Sequence, residues 1–327
     1  MHQFRQFCAL CAAGTVVLDG AVADAQAAPD PSTPDNAGAG DESSSTGDTT
    51  APLPVPSFAK AAAEVAPRKP KRDITAGDYL IIGVGAAVLP AYEGSHRHHV
   101  IPAFGIGGRI HGIGISPRSA GVSLNLIPPR ASRIGLSFGP VIRYRGARAV
   151  AISDPTPIRV GRGSGYLELG VNAGIALKHV LSKYDSLSLG TDIRWDASRG
   201  TGSRVISPGI NYSTPISKAQ VIGISGGADF INQRMANRSY SVTLARPGGV
   251  ALPGVPVRSG LRSVGGRIFT AYDLDHDLRN GGFSILFGIG YSRLVNTAGR
   301  SPLVTRNGTH DQVVIGTGLA FAFRTRR

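Results

Sequence analysis

Cysteine is nearly missing from this 327-residue chain: the two present, Cys8 and Cys11, both fall within the first eleven residues. Those residues belong to a segment, 1–27, that reads as a secretory signal. Arg5 supplies the positive start and Phe7 to Leu18 the apolar stretch. Ala25-Gln26-Ala27 fits a small-x-small cleavage site, with Ala23-Asp24-Ala25 a competing one. Leu10 is too bulky to precede a lipidated cysteine. Removal of the signal leaves no cysteine, which excludes disulfides, thiolate metal ligands and cysteine nucleophiles. No run is long and apolar enough for a membrane-spanning helix. Acidic side chains and lysine are also scarce. Residues 77–327 hold 12 Asp and Glu against 29 Lys and Arg, and only 3 of the 29 are lysine. Despite this positive charge no nucleic-acid recognition module and no aromatic–basic interleaving is present, so nucleic acid is not an expected partner. Arginine forks suit lipopolysaccharide phosphates, anionic solutes and internal carboxylates. Gly105-Ile106-Gly107-Gly108 follows strand-like residues and opens no helix, so it is no phosphate loop, and no cofactor is expected.

What is present is alternation. The chain ends on Val313, Ile315, Thr317, Leu319, Phe321 and Phe323, separated mostly by small or polar residues. A strand of this period has one apolar face and one small or wet face. The same pattern places strands near 78–89, 99–109, 111–116, 120–127, 134–145, 164–180, 185–196, 204–215, 219–231, 261–273, 281–294 and 311–323. This predicts an all-β antiparallel transmembrane barrel of about 12 strands, in a Gram-negative outer membrane and in contact with its lipid. Long connections (90–98, 146–163, 232–260, 295–310) alternate with short ones (182–184, 216–218, 274–280), as the two sides of an outer membrane require. Glycine, 44 residues in all, suits strands that curve around a narrow barrel.

The alternation assigns faces. Ile134, Leu136, Phe138, Ile142 and Tyr144 point to lipid, as do Leu187, Leu189, Ile193 and Trp195, and Phe283, Ile285, Phe287, Ile289 and Tyr291. The intervening Arg143 and Arg145, and Asp192, Arg194 and Asp196, point inward. So do Glu168, Asn172, Lys178, Asn211, Asp229 and Arg267. The charges among these are expected to pair across the lumen; an arginine-lined pore constriction is the functional alternative. Tyr144, Trp195, Tyr212, Tyr272 and Tyr291 lie near strand ends, where an aromatic girdle belongs.

Residues 28–76 are dominated by Pro, Ala, Ser, Thr, Gly and Asp, and read as a disordered periplasmic linker ending in the basic run Pro67 to Arg72. The expected organisation is thus a signal (1–27), a linker (28–76), a barrel (77–323) and a basic tail (324–327).

Local motifs point further. Leu89-Pro90-Ala91-Tyr92-Glu93-Gly94-Ser95 follows the first strand. Ser301-Pro302-Leu303-Val304 and Gly308-Thr309-His310-Asp311-Gln312 precede the last. Together with the strand order these resemble the MltA-interacting protein (MipA/OmpV) family across about residues 77–323. The resemblance implies an outer-membrane barrel without catalytic residues. It also implies a scaffold joining a lytic murein transglycosylase to a penicillin-binding protein, with adhesion, osmotic response or drug tolerance in other branches. Small-solute transport and surface adhesion on 146–163 and 232–260 are the alternative functions. The tail Arg324-Thr325-Arg326-Arg327 follows Phe323, where such barrels usually end.

Two further clusters carry the residue types of a site. His96, His98 and His99 beside Glu93 have the chemistry of a transition-metal site, which needs three convergent ligands. Ser95, His98 and Glu93 supply the residue types of a hydrolase triad, but a single loop does not hold such groups rigidly. The favoured reading folds this loop inward as a plug.

Overall fold

The structure is a computed structural model that describes residues 73–74, 77–130, 132–145, 151–152, 158–159, 165–198, 200–240, 244–245, 251–252, 258–305 and 308–325. Residues 1–72, which hold the expected signal and nearly all of the expected linker, and Arg326 and Arg327 lie outside the described residues. Twelve strands form the wall: β1 (Tyr79–Pro90), β2 (His98–Ile110), β3 (Ile113–Arg118), β4 (Gly121–Asn125), β5 (Ile134–Arg145), β8 (Tyr166–Lys178), β9 (Ser186–Asp196), β10 (Arg204–Pro215), β11 (Gln220–Ile231), β14 (Gly260–Asp273), β15 (Gly282–Leu294) and β16 (Asp311–Arg324). Each pairs antiparallel with its chain neighbour. The barrel closes where β1 meets β16, with Leu80 opposite Phe323 and Val88 opposite Ile315. Closure satisfies every strand edge, which a wall facing hydrocarbon demands.

Side-chain size decides which face is which. Leu136, Phe138, Leu189, Ile210, Ile224, Ile268, Phe283, Phe287 and Leu319 are all exposed on the outside. Their inward neighbours are small or polar, such as Ser137, Ser188, Asn211 and Ser284. Exposed apolar side chains in alternate positions around a closed sheet form a lipid-facing band. Tyr144, Trp195 and Tyr291 sit at one rim of it, and Tyr272, Phe283 and Phe321 at the other, where Phe283 and Phe321 pack with ring centroids 4.8 Å apart. Among the described residues no helix is long and apolar enough to cross a membrane.

The two ends differ. At the turn end the strands are joined by residues 111–112, 126–133, 179–185, 216–219 and 274–281. At the loop end the connections are 91–97, 119–120, 146–165, 197–203, 232–259 and 295–310. The loop end carries elements that alternation does not announce. Four two-residue strands, β6 (Ala151–Ile152), β7 (Ile158–Arg159), β12 (Leu244–Ala245) and β13 (Ala251–Leu252), join the two longest loops into a small sheet. Helix α1 (Gln233–Tyr240) and the short α2 (Asn296–Gly299) and α3 (Pro302–Thr305) complete it. Asn232 starts α1: its Oδ1 accepts the backbone N–H of Met235 at 3.0 Å, satisfying a donor the helix cannot.

The turns are held locally. Asp185 accepts the backbone N–H groups of Val180, Leu181 and Ser182 at 2.7, 2.7 and 2.9 Å, and the Tyr212 hydroxyl at 2.9 Å. Burial pushes its carboxyl up, but the hydrogen bonds from Leu181, Tyr212, Val180 and Ser182 outweigh it and hold the group below its ordinary 3.8. Its contribution is full above that value and is lost as pH falls through the lower folded value. Asp185→Ala is expected to cost about 1–3 kcal/mol at pH 7. The difference from wild type should shrink near pH 3, as read by denaturant unfolding followed on Trp195.

Candidate functional site

Inside the loop end, side chains from six strands and one loop close a circuit. Glu168 of β8 takes Arg145 Nε of β5 and Arg194 Nε of β9, each at 3.1 Å. Arg194 Nη2 donates to Ser207 Oγ of β10 at 3.0 Å, and Ser207 donates to Asp229 of β11. Asp229 is ion-paired with Arg262 of β14. Arg262 Nη1 reaches Glu93 at 3.1 Å, and Arg145 Nη1 lies 3.7 Å from Glu93, which completes the ring. A branch runs from Arg194 to Asp192 (3.3 Å) and on to Arg118 (3.2 Å). Arg143 is buried at the same level of β5. Glu168, Arg194 and Arg262 are almost wholly removed from solvent. Charges so placed are tolerable only when each is paired and its remaining hydrogen-bonding capacity is used.

Arg262 escapes the alternating pattern. Counting back from inward Ala271 and Ser263 puts position 262 on the lipid side. The register against β11 shifts here: Asp229 faces Ser263 but Phe230 faces Leu261. Arg262 is the extra residue of a bulge, which turns its side chain inward.

Above the ring sits an apolar cap. Met235, Ala236 and Tyr240 of α1 pack with Tyr166, Val205, Ile231 and Ala298. Arg238 of α1 stacks on Tyr166, 3.8 Å from its centroid, and pairs with Asp196. Burial, and then the nearby Glu93 carboxylate, push the Tyr240 phenol well above its ordinary value. Cap and ring adjoin where Tyr166 of the cap stands opposite Arg145 of the ring on the neighbouring strand.

The motif loops meet at this place. Gly94 N–H donates to Gln312 Oε1 at 3.0 Å, and Gly94 O accepts Thr309 N–H at 2.8 Å. Ser95 pairs with Gly308 as an isolated bridge. Buried Ser301 donates to the Tyr240 carbonyl at 3.0 Å, tying the last loop to α1. Pro302 opens α3. Leu89 packs with Ala87 and Val314 at the top of β1, and Pro90 ends the strand opposite His98. Tyr92 lies half-buried in the same loop. Asp311 stands apart on the outside, paired with Arg293 at 2.9 Å and accepting the Tyr291 hydroxyl. Gly94 has φ +98°, and a Cβ there would fall 2.6 Å from Val304 Cγ2. Gly94→Ala should lower stability by about 1–3 kcal/mol through strain and overpacking. Faster protease cleavage within 91–97 should accompany the loss.

The metal and hydrolase readings of this loop find no assembled site. Glu93 is committed to Arg262 and Arg145, and Ser95 Oγ donates to the Arg97 carbonyl at 3.1 Å. His96, His98 and His99 are exposed, and no group of three metal-ligating side chains occurs among the described residues.

Below the ring the lumen widens into a cavity of about 840 Å³. It is bounded by Asp192, Arg194 and Asp229 at the ring and extends past Arg267 to Pro129 and Arg130 in the 126–133 turn. Those two residues are exposed, so the cavity opens at the turn end.

A closed sheet with a lipid-facing apolar band, aromatic rims and a charged interior defines a transmembrane β-barrel of the outer-membrane class. The family model described as MltA-interacting protein MipA matches residues 82–323, and the chain belongs to that family. No curated protein matches it. Among solved structures it is similar to the Pseudomonas putida toluene transporter TodX, with 10% identity, TM-score 0.37, and coverage of 77% of this chain and 91% of that one. It is also similar to the Acinetobacter baumannii outer membrane channel DcaP, with 10% identity, TM-score 0.34, and coverage of 76% and 98%.

Proposed function

We propose that this chain is a non-conducting outer-membrane barrel that anchors peptidoglycan-remodelling enzymes at its turn end, which faces the periplasm. The observation that carries this reading is the double closure of the loop end, by the ion-pair ring and the apolar cap above it. A barrel so closed offers solutes no through path, which leaves its surfaces to do its work. The description of its family names an interaction with MltA, a murein transglycosylase, and this supports a lytic transglycosylase as partner. A penicillin-binding protein is the expected third member. In this reading the signal is removed, and partner contact uses the short turns or residues 28–76.

The test has two parts. Refolded mature protein in a planar bilayer should show no reproducible open steps. Immobilised barrel should retain purified transglycosylase, and deletion of 28–72 should weaken retention while leaving the folded barrel intact. Open steps together with no retention would replace the scaffold by a small-solute pore.

A further inference from the structure

The cavity below the ring has a chemistry that neither the scaffold reading nor the family description uses. Its lining carries the cations Arg109, Arg118, Arg130, Lys178, Arg194 and Arg267, against two carboxylates, Asp192 and Asp229. Both carboxylates are already engaged, Asp192 by Arg118 and Arg194, and Asp229 by Arg262 and Ser207. The wall therefore faces the cavity with excess positive charge. Between the cations, the inward positions of β5, β8, β9, β10 and β11 are hydroxyls and amides: Ser137, Asn172, Ser188, Asn211 and Ser225.

From this we propose that the cavity is a binding pocket, entered from the turn end, for a carboxylated saccharide of about two rings. The excess arginine and lysine supplies charge-assisted bonds to carboxylates. The serine and asparagine wall matches hydroxyls that both donate and accept. The volume falls within the range of small-ligand pockets. Closure by the ring makes the site a dead end: the ligand binds and leaves by the same mouth. The inference rests on the barrel and its cavity, not on the scaffold reading.

The test is titration calorimetry of the refolded protein in detergent with three probes: digalacturonate, the neutral disaccharide cellobiose, and the small dianion succinate. Digalacturonate should bind, more weakly as salt rises. Cellobiose and succinate should each bind at least roughly tenfold more weakly, since each lacks one of the two kinds of contact. Arg267→Gln should weaken digalacturonate by roughly tenfold, with folding checked by the heat-modifiable mobility of the barrel. Should that variant not fold, saturation-transfer NMR on the unaltered protein with the same probes decides the matter. Equal binding of either control, or no binding of digalacturonate, would overturn the proposal. Loss of transglycosylase retention with sugar binding intact would remove the scaffold alone.

Discussion

Arg262→Met should destabilise the folded barrel by about 3–5 kcal/mol, the largest single-residue effect expected in this protein. The Arg262 side chain has no solvent exposure, and it neutralises two carboxylates at once, Glu93 from the first loop and Asp229 from β11. Methionine fills much of the volume but takes the shared cation from two largely buried acids, leaving Asp229 without its guanidinium and Glu93 with Arg145 alone at 3.7 Å. The cost comes from these stranded charges and not from any large net value of the ion pair. Two companions separate the terms. Arg262→Met combined with Glu93→Gln and Asp229→Asn should recover much of the loss, because the stranded charges go with their partner. Arg293→Met breaks a pair that is about half exposed, Arg293–Asp311 at 2.9 Å. It should move stability by no more than about 1 kcal/mol. Trp195, the only tryptophan, lies at the lipid rim and reports unfolding by fluorescence in denaturant. A shift below 1 kcal/mol for Arg262→Met would mean that water already reaches the ring.

The bulge that makes Arg262 decisive also explains why it was invisible in the sequence. Alternation reports a strand's face only while the register holds, and one inserted residue flips the parity. Where register is unbroken the reading was sharp. The expected bounds 134–145 and 204–215 coincide with β5 and β10 to the residue. Inward Arg143, Arg145, Glu168, Asp192, Arg194, Asp229 and Arg267 all follow from period two. The loop end was not legible for a different reason. Two-residue strands such as β6 and β12 are too short to show any period. Helix α1 reads Gln-Arg-Met-Ala-Asn-Arg-Ser-Tyr; its buried Met235, Ala236 and Tyr240 share one face, but eight residues with three apolar positions are too short a stretch for the helical period to stand out. A second sign is Asn232, a residue type that favours helix starts. The meeting of Gly94 with Gln312 spans 218 positions, and only the closure of β1 on β16 brings the two together.

The cap leads to the second large effect. Replacing Gln233–Tyr240 by a glycine–serine segment of equal length should turn a silent barrel into one with resolved conductance steps. The wall does not depend on α1, because every barrel strand is paired with its neighbours without it. What is lost is the apolar layer of Met235, Ala236 and Tyr240 over Tyr166, Val205 and Ile231. Burying each of the larger side chains contributes about 1.5–3 kcal/mol, so the cap is a stable lid and not a transient one. With the layer gone, water reaches the ring from the loop end, and hydration weakens every ion pair in it as the local dielectric rises. Ions that pass must then cross the cavity with its six cations and two carboxylates, so the steps should prefer anions. Adding Glu93→Gln frees the first loop from Arg262 and Arg145 and should enlarge the steps further. The readout is a planar bilayer under a salt gradient, where the sign of the reversal potential gives the selectivity. Silence in both variants would show that some third layer closes the lumen. Cation preference would show that the field in the passage is set by Glu93, Glu168, Asp192 and Asp229 rather than by the arginines around them.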